Sequence, residues 1–129
     1  MRLLLAFLLA AAITSAADPI APGKYTGKWQ GESGASGDFT LTLASPGAGQ
    51  WKAEVSFKMG DQEVPCNVTA VLVDGSKLHV VYTFDLLGTK LESTIDGDRT
   101  GAKVSGKYRT RSVADNAPVD QGTWDASLT

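Results

Sequence analysis

One histidine and one cysteine narrow the chemistry open to this chain of 129 residues. His79 sits between Leu78 and Val80 in the strand phase that faces water, and no Ser or Cys nucleophile falls at a spacing that pairs with it. Asp and Glu are scattered over the outward phase and the turns, so no converging carboxylates for acid–base work are indicated. The stretch Asp96-Gly97-Asp98-Arg99-Thr100-Gly101 resembles the first half of a calcium loop in its alternating oxygen donors and closing glycine. Lys107, however, stands where the bidentate Glu belongs, and no helices flank the stretch; it reads as a hairpin turn with solvated aspartates. Asn67-Val68-Thr69 fits a glycosylation acceptor but falls in the middle of a strand. The expectation is a protein that is not an enzyme, with no catalytic residues, no metal site and no cofactor.

Recognition is the chemistry that remains. Tyr25, Trp29, Tyr82, Phe84, Ser93, Tyr108, Thr110 and Trp124 share one strand phase and combine aromatic surface with a few hydroxyl and indole N–H groups. Around a cavity they form the candidate ligand-binding set, since small-molecule sites are apolar pockets with a few fixed polar groups. In a filled core, the same hydroxyl and indole groups would instead satisfy backbone carbonyls.

Strands must position these residues. The segment YTGKWQGE (25–32) alternates Tyr25, Gly27, Trp29 and Gly31 with Thr26, Lys28, Gln30 and Glu32, and this period of two recurs along the chain. Turn-forming clusters at 33–37, 45–50, 59–62, 73–76, 86–89, 96–103 and 114–118 separate the segments 24–32, 38–44, 50–59, 63–73, 77–86, 89–97, 103–111 and 119–128. Short connections imply antiparallel hairpins, and pairing the first strand with the last removes both exposed edges. The predicted fold is all-β, an eight-stranded antiparallel up-and-down β-barrel.

The inward phase holds Tyr25, Trp29, Phe39, Leu41, Leu43, Trp51, Val55, Phe57, Leu78, Val80, Tyr82, Phe84, Leu91, Ile95, Val104, Tyr108 and Trp124. Lys28, Glu32, Lys52, Glu54, Lys58, Lys90, Glu92, Lys103, Lys107, Arg109 and Arg111 take the outward phase, which excludes a barrel with a lipid-facing exterior. In segment 63–73 the expected arrangement puts Val64, Cys66 and Val68 inside and leaves Val71 and Val73 as an exposed patch. A two-residue turn at Asp74-Gly75 would invert this, because register and facing are locked together.

The first 17 residues carry Arg2, an apolar run from Leu3 to Ile13 and the small residues Ser15-Ala16-Ala17, the pattern of a secretory signal peptide. The expected products are a leader over 1–17, a single domain over 18–129, and a secreted or periplasmic protein. Without Arg2 the chain has 11 basic and 14 acidic residues, a net charge of −3 with the signs interspersed. That balance gives neither a nucleic-acid footprint nor a polybasic membrane patch, and no apolar run is long enough for membrane insertion. With Cys66 alone, no intrachain disulfide can form, and the core must hold the fold.

Gly27-Lys28-Trp29 in the first strand and Gly122-Thr123-Trp124 in the last resemble the calycin group of barrels, the lipocalins and avidins. The resemblance implies that the first-strand Trp seals one end of the barrel while the other admits a small, usually hydrophobic ligand. A lipocalin's arginine that stacks on that Trp has no clear counterpart, although Arg109 and Arg111 lie in a late strand. Gln30 to Gly37 do not match the polar contacts of an avidin, so biotin binding is not implied. Leu86-Leu87-Gly88 places apolar side chains at a turn, where they could form a ligand portal, a contact for a protein partner or a plug. Two functions follow: a secreted non-enzymatic barrel binding a small hydrophobic molecule, or a filled barrel acting through its surface or loop end as an inhibitor or envelope component.

Overall fold

The computed structural model describes residues 18–129; the expected leader lies outside the described residues. Among the described residues, nine antiparallel strands make one sheet: β1 (Gly23–Gly31), β2 (Ser36–Gly47), β3 (Gln50–Met59), β4 (Gln62–Pro65), β5 (Asn67–Asp74), β6 (Lys77–Leu86), β7 (Thr89–Thr100), β8 (Lys103–Ser112) and β9 (Pro118–Leu128). Their order is β4-β3-β2-β1-β9-β8-β7-β6-β5. The first and last strands pair, from Tyr25 opposite Leu128 to Gly31 opposite Gly122, and the sheet rolls into a nearly closed up-and-down barrel.

The count is nine rather than eight because segment 63–73 is interrupted at Cys66. Its first part, β4, pairs with β3 and sets Val64 opposite Phe57. Its second part, β5, pairs with β6. The two outermost strands of the sheet are therefore consecutive pieces of one stretch, joined at the seam through a single residue. Pro65, which has no N–H to continue a ladder, marks the point where the chain changes partner.

The facing of β5 corrects the expectation. Asp74 pairs with Lys77 across a two-residue Gly75-Ser76 turn, with Gly75 at φ 61°, so Val73 lies opposite Leu78 on the inward face. A bulge at Thr69 then shifts the register by one residue and returns Val68 to the inside, opposite Tyr82. Val64, Cys66, Val68, Val71 and Val73 all pack on the core, while Leu72 is exposed. The anticipated patch at Val71 and Val73 does not exist.

The stretch Asp96–Thr100 is also not a turn. It continues β7, and the reversal is confined to Gly101-Ala102. Asp96 and Asp98 extend outward from the ladder to meet β6 side chains: Asp96 lies 2.6 Å from His79 Nδ1 and Asp98 accepts from Lys77 Nζ at 3.1 Å. An extended strand does not fold back to enclose a cation, so the calcium-loop resemblance ends at the sequence.

One end of the barrel is filled. Tyr25, Leu41, Leu43, Leu78, Val80 and Val104 are fully buried there, each contributing ~1.5–3 kcal/mol of apolar burial. Ile20 covers this end from the segment preceding β1 and is held by its own N–H donating to Gly75 O at 2.8 Å. Arg99 Nη1 fixes the same segment by donating to Pro19 O at 2.7 Å. Ile20 and Tyr25 thus close the barrel, a role the calycin resemblance would give to the first-strand Trp.

Candidate functional site

At the opposite end, where the β1–β2, β3–β4, β6–β7 and β8–β9 connections gather, the interior is not filled. A cavity of about 300 Å³ extends inward from Ser33, Ala35, Met59, Leu86, Val119 and Asp120 at its mouth. Seven of the eight anticipated residues line it: Trp29, Tyr82, Phe84, Ser93, Tyr108, Thr110 and Trp124. Tyr25 does not. It lies at the closed end, where its hydroxyl donates to Ala21 O at 2.6 Å.

The walls are chiefly aromatic. Trp29 meets Phe57 and Tyr108 edge-on, with ring centroids 5.8 and 6.1 Å apart, and Phe57 meets Phe84 at 4.9 Å. Trp124 tilts against Phe39 at 5.3 Å. Such edge contacts fix the rings against one another, which favours a preformed site. Trp124 fits because β7 carries no side chain at Gly97: a Cβ there would stand 2.6 Å from the indole.

Both indole N–H groups are committed to the protein and unavailable to a ligand. Trp29 Nε1 donates to Lys58 O at 3.1 Å and Trp124 Nε1 to Asp96 O at 3.2 Å. Arg109 is exposed, and Arg111 is engaged outside by Glu92 at 2.6 Å and Asn116 at 2.8 Å, so neither arginine takes the stacking role known from lipocalins. Leu86 contributes to the mouth, whereas Leu87, at φ 52°, is 99% exposed and plugs nothing.

Phe39, Phe57, Leu91 and Ile95, expected inside but not as ligand contacts, also line the cavity, and the charged residue absent from the expected set is Asp120. It lies four residues before Trp124, hence in the inward phase of β9, a signal that was present but masked by the tendency of carboxylates to face water. Asp120 Oδ2 accepts from Ser33 Oγ at 2.9 Å and from Tyr108 Oη at 3.1 Å, and Oδ1 accepts from Ser33 N–H at 3.2 Å. Burial by itself would raise its pKa, but the donors from Ser33, Gln121 N–H and Tyr108 outweigh it and hold the carboxyl below its ordinary value of 3.8. No Lys or Arg forms an ion pair with it among the described residues.

Register places a polar row across the cavity wall. Tyr82 on β6 lies opposite Ser93 on β7, Ser93 opposite Thr110 on β8, and Thr110 opposite Asp120 on β9. Ser93 and Thr110 share a hydrogen bond between their hydroxyls, both nearly inaccessible. The Tyr82 hydroxyl, on a side chain that is 4% exposed, stands beside Ser93. Burial raises the pKa of Tyr82, with the nearby Cys66 adding to it, and burial followed by the Asp120 charge raises that of Tyr108. Both phenols remain protonated donors at neutral pH. Half-buried Cys66 is likewise pushed up to about 12 by burial and is a thiol, not a thiolate.

Among the described residues no three His, Cys, Asp or Glu side chains converge to hold a metal, and no helix is long and apolar enough to cross a membrane. The arrangement can receive a small apolar body and offer it phenol and hydroxyl donors and a carboxylate. In comparison with known proteins, no family model, curated protein or solved structure matches this chain.

Proposed function

We propose that this protein is a non-enzymatic barrel that works outside the cytoplasm and binds a small, largely hydrophobic molecule in the cavity at its loop end. The cavity carries the reading. Its volume of about 300 Å³ lies at the lower limit of ligand pockets, roughly 300–1,000 Å³, and its walls combine aromatic surface with a few polar groups. This mode of binding is the one the Gly-x-Trp strands of calycins imply. The filled-barrel alternative is less favoured, because the cavity leaves the interior unfilled and Val71 and Val73 are turned into the core.

The test is fluorescence titration of the purified protein with an apolar, environment-sensitive dye. Saturable one-to-one binding with quenching of Trp29 and Trp124, lost on Phe84→Trp substitution that fills the cavity, is the expected result. Absence of saturable binding to the natively folded protein overturns the proposal.

A further inference from the structure

The cavity is not uniformly apolar, and the distribution of its polar groups discriminates between ligands. At the mouth Asp120 is an ionised carboxylate whose neighbours are neutral donors, with no ion-paired Lys or Arg among the described residues. A carboxylate at the partly enclosed mouth of an apolar cavity acts on whatever enters it, although solvent at the mouth partly screens the charge. It repels a carboxylate-bearing ligand and attracts a protonated amine, and the surrounding rings of Trp29 and Tyr108 add a favourable surface for a cation.

At the other end of the row the chemistry is reversed. Tyr82, Ser93 and Thr110 bring three hydroxyl protons, and the one hydrogen bond among them, between Ser93 and Thr110, uses one. Among the described residues the Tyr82 hydroxyl and one proton of the Ser93–Thr110 pair thus lack an internal acceptor, in side chains more than nine-tenths buried. A buried donor without an acceptor is costly, so this end favours a ligand oxygen. Tyr82 lies three strand spacings from Asp120, roughly 14 Å along the curved wall. The cavity holds about ten water volumes at ~30 Å³ each, which limits the guest to one or two rings.

We infer that the row Tyr82–Ser93–Thr110–Asp120 selects a small aromatic amine with an oxygen on its ring: the ammonium faces Asp120, the ring lies among the aromatic walls, and the oxygen accepts from the Tyr82–Ser93–Thr110 hydroxyls. This inference rests on the ligand-binding reading above, and it names the chemical class of the guest.

Three matched probes test it by displacing the apolar dye: tyramine; phenethylamine, which lacks the ring oxygen; and hydroxyphenylpropionate, which replaces the amine by a carboxylate. Tyramine is expected to compete more than about tenfold better than the carboxylate, since a like charge at Asp120 opposes binding. It should exceed phenethylamine by about three- to tenfold, the worth of one hydrogen bond. Asp120→Asn, whose amide oxygen still accepts from Ser33 and Tyr108, should erase the first preference, and Tyr82→Phe the second, each preference being read as the ratio of two competitors on the same variant. If the dye binds but the carboxylate competes as well as the amine on the unaltered protein, the inference fails and the ligand-binding reading stands. If the dye does not bind, both fail. The comparison on the unaltered protein decides the matter even where a variant does not fold.

Discussion

Asp120 accepts the Tyr108 hydroxyl at 3.1 Å, and the two groups meet in the space that Gly31 leaves empty on β1. A Cβ at Gly31 would stand 2.0 Å from Asp120 Oδ2 and 2.6 Å from Tyr108 Oη. A glycine in one strand thus creates the socket for a carboxylate carried by its neighbour. Gly31→Ala is expected to force the carboxylate out and to destabilise the protein by about 1–3 kcal/mol, as overpacking does. Urea unfolding checks this; an unchanged midpoint would mean that Asp120 does not occupy the socket.

Acid stability depends on the same carboxylate. The folded-state pKa of Asp120 is lowered below 3.8, so its contribution to stability is present above that value and is lost as pH falls through the folded-state value. Asp38, held down by the hydrogen bond and charge of Lys28, shifts in the same direction. Urea midpoints measured from neutral pH downward should fall once the pH drops below about 4. In Asp120→Asn the fall should be shallower, because an amide does not titrate. Parallel acid limbs in the two proteins would rule Asp120 out as a contributor.

The alkaline limb has the opposite sign. Tyr82 and Tyr108 both have folded-state pKa values raised above 10.0, chiefly by burial. Their stability contribution is present below 10.0 and is lost as pH rises through the raised values. Phenolate absorbance from these two residues should therefore emerge only above the ordinary tyrosine range, and abruptly where the barrel opens. Tyr82→Phe and Tyr108→Phe should each remove one late-ionising group; ionisation near 10.0 in the folded protein would show that the cavity wall is open to water.

Trp29 and Trp124 face each other across the β1–β9 ladder but have different surroundings. Trp124 is 2% exposed, and its ring lies over Gly97. Trp29 is 9% exposed and lies nearer the cavity mouth, although both rings border the cavity. Aromatic-to-alanine changes in a core cost about 3–5 kcal/mol, more where the neighbours cannot collapse. Trp124→Ala is expected toward the upper end of that range and Trp29→Ala toward the lower, with dye binding weakened in both. Chemical denaturation of the two variants checks the order; Trp29→Ala proving the costlier would place the empty volume elsewhere.

Much of the barrel was legible in the sequence because a strand alternates with a period of two. That period put Tyr25, Trp29, Phe39, Phe57, Tyr82, Phe84, Tyr108 and Trp124 on one face, and short turns joined neighbours into hairpins. Pairing of β1 with β9 followed from the penalty on open edges. The tertiary structure decided what depends on relations between strands. Local alternation carries no record of the Thr69 bulge, which reverses the facing of Val71 and Val73, or of the change of partner at Cys66. Nor could it show whether an inward glycine leaves a void: Gly97 and Gly31 are filled from β9, by Trp124 and Asp120, while the cavity opens between rings that prop one another apart. The row from Tyr82 to Asp120 exists only through register, since residues 38 positions apart in the chain fall on one line across the wall only when three successive ladders are set in line.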